Sequence, residues 1–492
     1  MSAATGVKRR TLLAGAGALG AAALVGAPLV RRHSAAAAET APGPALVQPP
    51  EERATDGLLR TSVDARYGTY DLGDKRVTLR SYGGAPVGHS LRLKAGETLR
   101  LALTNSLPFD PLAYLCTAVP VPGENAPRGF NVTNMHVHGV HVSPNSPADN
   151  MFVMVRPGET QQYVYDIPAD HPPGTYFYHA HFHGSVALQV ASGMSGALII
   201  EGAVDEIPEI KAAAEVVMMF QTQRFNDAGL CENYDVLAVG DQVYVNGQVR
   251  PVVTLRPGQV QRWRMVNAAH QEILHLRLDG HDFTVLCLDG NPLPHTTAMR
   301  DIPMVPGNRA DVLIKAGQPG LYALSGGDPA GILAYLKVEG APDDMALYDG
   351  ALPVPALLKP VADSEVTFGR RLEFDLAGAP PAIKWFINQK PFTCADPWQI
   401  PLGAVEEWEV YNHTADAHPF HIHINPFQML SGGNVAPGTW LDTVELPPFG
   451  RIRFRTRFVS YTGTFVLHCH NLIHEDMGMM QAIQVVPPTA KA

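Results

Sequence analysis

The 492-residue chain is poor in charge, with 17% Asp, Glu, Lys and Arg, and poor in aromatic side chains, at 8%. An apolar share of 46% excludes a disordered chain, and 45 Gly with 42 Pro suits a fold rich in turns rather than a helical bundle. With 37 Lys and Arg against 47 Asp and Glu, it lacks the basic balance that nucleic acid or an anionic membrane surface would require. Beyond the first 38 residues it has no apolar run long enough to span a bilayer, so no membrane association is expected of the mature form. An all-β globular protein is the expectation, and the length suits about three domains.

The first 38 residues read as an export signal. Lys8, Arg9 and Arg10 precede an Ala/Gly/Leu run from Leu12 to Val25, and the small residues Ala35 to Ala38 offer a cleavage site. Arg9-Arg10 followed by Leu12 and Leu13 resembles a twin-arginine signal. Pro28 and the glycines of the run argue against an uncleaved membrane anchor. The expected destination is periplasmic or extracellular. Five cysteines in an exported chain leave one over, and an odd cysteine is a reactive thiol or a metal ligand. Cys469 is that one by its setting, described below. Cys116, Cys231, Cys287 and Cys394 could pair in three ways or stay reduced.

One pattern recurs three times. Lys94-Ala-Gly-Glu-Thr-Leu-Arg-Leu-Ala-Leu-Thr-Asn105 returns as Arg256-Pro-Gly-Gln-Val-Gln-Arg-Trp-Arg-Met-Val-Asn267 and as Pro401-Leu-Gly-Ala-Val-Glu-Glu-Trp-Glu-Val-Tyr-Asn412. Gly96, Gly258 and Gly403 stand at the same distance before their Asn. The alternation between them, as in Trp263 and Met265 against Arg262 and Arg264, is that of a half-buried strand leaving a Gly turn. A second element, Gly174-Thr-Tyr-Phe-Tyr-His179-Ala-His181, returns as Gly463-Thr-Phe-Val-Leu-His468-Cys-His470, and in the middle copy as Gly320-Leu-Tyr-Ala-Leu-Ser325-Gly-Gly327. The middle copy has lost both histidines, and it carries Leu276 and Leu278 where the third copy has His421 and His423. Three consecutive antiparallel Greek-key β-sandwiches follow, over residues 58–203, 204–345 and 366–488, with a Pro-rich linker at 346–365 and the middle one a spacer.

Four His-x-His pairs, His136/His138, His179/His181, His421/His423 and His468/His470, lie in the first and third copies. Residues i and i+2 of a strand share a face, so each pair presents two imidazoles to one place. Two pairs from each repeat can then meet across an interface, and eight converging imidazoles make a metal site. Nitrogen ligands of this kind suit several coppers holding dioxygen between them. Cys469, between His468 and His470, points to the opposite face. With His418, His474 and Met479 it completes a set of two His, one Cys and a weak axial Met, the pattern of a blue-copper electron-transfer centre.

These motifs resemble the copper signatures of the multicopper oxidases, the family of laccases, bilirubin oxidases and bacterial copper-efflux oxidases, over residues 60 to 487. The resemblance implies three cupredoxin-like domains and four coppers. His136 and His421 would hold the type 2 copper. His138, His179 and His470, with His181, His423 and His468, would hold the type 3 pair. His418, Cys469, His474 and Met479 would hold type 1, with His418 facing solvent.

Reducing dioxygen to water consumes protons, so carboxylates beside the cluster are needed. Asp149, which matches an acidic residue the family keeps there, and Glu475, next to His474, are the candidates. His141 and His183 fit no ligand position in the family pattern. His89, His171, His270, His275, His281, His295 and His413 read as surface or supporting residues. The 15 Met are scattered rather than gathered over the type 1 site, and none stands beside Asp416. The expected donor is therefore a phenol or aromatic amine, with a metal ion such as Cu(I), which Asp416 could meet, or a bilirubin-like pigment as the alternatives. A nitrite reductase would not need the paired motifs, and a copper-free protein of the cell envelope would show them eroded.

Overall fold

In all three copies the glycine of the repeat has left-handed backbone geometry, with φ of 89° at Gly96, 80° at Gly258 and 92° at Gly403, which a side chain would resist. Each glycine turns the chain into a strand: Thr98–Asn105, Val260–Asn267 and Ala404–Asn412. The closing asparagine is buried each time and does the same work. The side-chain amides of Asn105, Asn267 and Asn412 donate to carbonyls of neighbouring loops, and their oxygens accept from the backbone N–H two residues on. The repeated Asn is thus a loop tie, placed where unbonded backbone carbonyls would otherwise be buried.

The structure, a computed structural model, describes residues 41–109, 125–238, 242–378 and 383–488. The export signal read in residues 1–38 and Cys116 lie outside the described residues. Six sheets form three pairs, and each pair encloses its own apolar core. In the first pair, Glu51–Arg53, Ser90–Lys94, Ser195–Glu201, Gly174–His179 and His136–His138 face Lys75–Tyr82, Leu58–Leu72, Thr98–Asn105 and Thr160–Asp166. The third pair sets Trp398–Pro401, Met480–Val486, Gly463–Cys469, His418–Ile422 and Thr443–Leu446 against a six-stranded sheet centred on Ala404–Asn412 and Arg451–Phe458. The architecture is three successive cupredoxin-like sandwiches.

Two details correct the sequence reading. The sandwiches are mixed rather than purely antiparallel, because Leu58–Leu72, Ala214–Gln221 and Phe368–Ala377 each run parallel to the Gly-initiated strand of their copy. A Greek-key crossover brings these strands together pointing the same way, which local alternation does not reveal. The segment before the first sandwich also pairs with the middle one: Gly43 N–H donates to Arg250 O and Leu46 N–H to Val252 O, both at 2.8 Å. Of the cysteines, Cys231, Cys287 and Cys469 are free, and Cys394 is disulfide-bonded. Among the described residues no helix is long and apolar enough to cross a membrane.

Candidate metal centre

Strand register places the histidines. In the first copy His136 sits opposite His179 on the adjacent strand; in the third, His421 sits opposite His468 and Phe420 opposite Cys469. The two half-sites then meet face to face. The His136 ring stacks on His423 at 3.8 Å, and His138 stacks on His421 at 3.9 Å. Nε2 atoms of His181 and His423 each lie 3.3 Å from Nε2 of His468. His470 stands 4.9 Å from His138 and 5.5 Å from His179, ring to ring. All eight imidazoles of the sequence analysis are brought together, and all are buried.

Several of their nitrogens have no protein partner: Nε2 of His136, His179 and His421, Nδ1 of His138, and both nitrogens of His470. An unbonded buried polar atom costs about 1–3 kcal/mol, so a cluster of them in one place fits a bound metal. The opposite nitrogens are held. His136 Nδ1 pairs with Asp149 Oδ2 at 2.8 Å, His179 Nδ1 donates to Ala180 O at 3.0 Å, and His421 Nδ1 donates to Asp442 O at 2.8 Å. Burial above all, then repulsion among the rings, keeps His136, His138, His181, His421, His423 and His470 well below the usual histidine range. Burial also brings His179 down to about 3. These rings are neutral at pH 7, which is the form that binds metal.

On the other face of Gly463–Cys469, Cys469 Sγ lies 3.4 Å from His418 Nδ1 and 3.7 Å from His474 Nδ1, and the two nitrogens are 3.2 Å apart. Asn471 caps the helix Leu472–Asp476 by accepting from Ile473 N–H, which carries His474 back toward the sulfur. Met479 is buried in the same core as Cys469, and Cys469 N–H donates to its carbonyl at 3.0 Å. Burial pushes the Cys469 thiol up and brings His418 down to about 4. Such a thiol loses its proton readily only where a metal ion would take the proton's place on sulfur. One expectation fails here. His418 does not face solvent but is fully buried, with Nε2 bonded to Thr414 Oγ1 at 2.7 Å, while His474 is 9% exposed. The Thr414 hydroxyl and Trp385, whose ring lies edge-on to His418 with centroids 5.6 Å apart, supply the cover.

Both predicted carboxylates are buried at the site. Asp149 pairs with His136 and accepts from Val137 N–H at 3.1 Å, and burial pushes it up to about 8. Glu475 lies 3.0 Å from His468 Nδ1 and 3.2 Å from His181 Nδ1, close in distance but not aligned for hydrogen bonding, and burial raises it as well. Asp442 was missed. Its Oδ1 lies 3.1 Å from His138 Nε2, and it is grouped with His138 and His421. The middle copy, expected to be a spacer, also reaches the site: a Cβ on Gly307, whose φ is 94°, would press on His138 and His470 at 3.0 and 3.2 Å. The available signal was Arg309-Ala-Asp311 heading the strand Arg309–Lys315, whose next three residues are apolar. Of the remaining histidines, His141, His171 and His270 are buried, which leaves His171 and His270 the supporting role of the two expected for them; His141 Nδ1 donates to Ile424 O at 2.8 Å.

Three family models described as multicopper oxidase match residues 125–205, 218–333 and 365–489, well over half of the chain. The chain belongs to the multicopper oxidase family. Curated relatives include the multicopper oxidase mco of Staphylococcus aureus, 26% identical over 82% of this chain and 83% of that one. A laccase of Bacillus stratosphericus is 25% identical over 83% and 91%. The cell division protein FtsP of Yersinia pestis is 26% identical over 98% and 99%. Among solved structures, a Campylobacter jejuni multicopper oxidase described as a metallo-oxidase superposes with a TM-score of 0.75 at 23% identity, covering 90% of this chain and 96% of that one. As a multicopper oxidase the chain is a copper oxidoreductase with oxygen as acceptor.

Proposed function

We propose that this multicopper oxidase carries four coppers and couples four one-electron oxidations of a small phenol or aromatic amine to the reduction of dioxygen to water. The observation that carries the reading is the burial of eight imidazoles together, most of them with a partnerless nitrogen, with the Cys469 thiol on the opposite face of the strand that carries His468. His418, Cys469, His474 and Met479 would hold the type 1 copper, His136 and His421 type 2, and His138, His179, His470, His181, His423 and His468 the type 3 pair. When bound, copper supplies one-electron acceptance at the thiolate set and multi-electron reduction of dioxygen at the imidazole set.

The chain's own residues do the rest. Cys469 shares peptide bonds with His468 and His470, a short covalent route between the two sets. Asp149 and Glu475, each against an imidazole of the cluster, hold protons for delivery to the oxygen atoms. Trp385, Thr414 and Phe374 lie around His418, an aromatic cover that favours an organic donor over a soft metal ion. Asp416 is exposed two residues from His418 and supports the second reading, oxidation of a metal cation such as Cu(I). Residues 1–38 would direct the chain out of the cytoplasm.

The test is copper content together with oxygen uptake on a phenol, an aromatic amine, bilirubin and Cu(I). About four coppers per chain, a blue absorption and fastest uptake with the aromatic donors are expected, by the ligand count. One copper or none would overturn the oxidase reading, and preference for Cu(I) would overturn only the donor.

A further inference from the structure

Arg309 is fully buried, and all five of its N–H groups find acceptors in three different repeats. Nε–H donates to Thr175 O of the first copy at 3.3 Å. One NH1 hydrogen goes to Gly307 O at 2.9 Å and one NH2 hydrogen to Asp289 O at 2.9 Å, both in the middle copy. The remaining pair grips the Asp442 carboxylate of the third copy in bidentate fashion, at 2.8 and 2.5 Å. The fork is held rigidly, as only a guanidinium permits.

What Asp442 then does lies inside the histidine cluster. Its Oδ1 sits 3.1 Å from His138 Nε2 and accepts from Thr443 Oγ1 at 2.8 Å, while its backbone carbonyl accepts from His421 Nδ1. A carboxylate against one ring nitrogen fixes the tautomer, so the lone pair of His138 falls on Nδ1, which has no protein partner. The surroundings are shaped for this pair. Gly139, with φ of 82°, lies so close that a Cβ there would collide with both Arg309 NH2 and Asp442 Oδ2. Asp289 adds a second tie, accepting from Asn308 Nδ2, Arg309 N–H and Thr443 N–H.

We propose that Arg309, from the repeat that lacks histidine pairs, is a positioning residue for the trinuclear centre: through Asp442 it sets the tautomer and angle of His138 and seats it against His421. The middle repeat is on this view a working part of the site, although none of its side chains is a candidate ligand. The inference rests on reading the eight histidines as copper ligands.

The test is Arg309→Lys, which keeps the charge and loses the fork, beside Asp442→Asn, which cuts the same link from the other side. Copper per chain, the blue absorption and the electron paramagnetic resonance spectrum are measured on the loaded proteins. In both variants the blue absorption per chain should persist, reporting a folded third repeat. Copper outside the blue site should be held about 10- to 100-fold more weakly, with an altered electron paramagnetic resonance spectrum of the imidazole cluster. A full complement of copper with unchanged spectra in Arg309→Lys would overturn the role of Arg309, even if the melting temperature falls. Wild-type protein that takes up no copper beyond the blue site would instead overturn the ligand reading.

Discussion

The indole of Trp385 lies flat on the imidazole of His474, with ring centroids 3.6 Å apart and planes 23° from parallel. It shields the more exposed of the two candidate type 1 histidines, being itself 5% exposed. A dry, apolar cover disfavours the higher charge of Cu(II) and so holds the potential up. Trp385→Ala should keep the blue absorption and lower the midpoint potential, at a stability cost of about 3–5 kcal/mol. Spectroelectrochemical titration checks this, and an unchanged potential would show that the stack plays no electronic part.

Cys469→Ser should abolish the blue colour and turnover while copper stays in the imidazole cluster. The thiol and the imidazole cluster lie on opposite sides of the strand Gly463–Cys469, so loss of one set leaves the other intact. The measurement is metal content beside the visible spectrum. Activity at the wild-type level in this variant would rule out Cys469 as the electron acceptor.

Glu475→Gln preserves shape and removes the exchangeable proton between His181 and His468. Oxygen uptake should fall about 100-fold or more with copper content unchanged. If uptake holds, protons reach the cluster by another route.

The copper-free protein should lose stability as the pH falls below about 6.5. There the unfolded chain's histidines take up protons, whereas His136, His138, His181, His421, His423 and His470 stay neutral when folded. Asp149, pushed up to about 8, Asp289 and Asp476, each pushed up to about 7, and Glu475, also raised, work in the opposite sense, their contributions being lost as the pH rises through those values. With His141, His171, His179, His270, His418 and His474 lowered as well, the depressed histidines outnumber these carboxylates, so stability should rise from about pH 5 to about pH 6.5. Thermal melts of metal-free protein across that range test the sign.

The candidate ligands were legible in the sequence because two simple rules act on them together. Strand periodicity puts i and i+2 on one face, and the repeat gives the first and third copies the same positions. His136 opposite His179 and His421 opposite His468 follow from those rules. Asp442 and Arg309 obey neither rule. They meet 133 positions apart, from different repeats, and nothing in their local sequence encodes the partner. The cover on His418 was illegible for the same reason, since Thr414 and Trp385 close over it from separate segments. The parallel pairs are a matter of crossover, which alternation within a strand cannot express.

The histidine cluster has a consequence for assembly. His181 and His468, whose ring nitrogens are 3.3 Å apart, are separated by 287 positions in the chain. Neither half of the cluster supplies more than four of the eight imidazoles, so a nascent or truncated chain presents only an incomplete site. Metal uptake is thereby made conditional on completion: the pocket comes into being when the last sandwich closes on the first, and an ion captured there acts as a clasp across the seam.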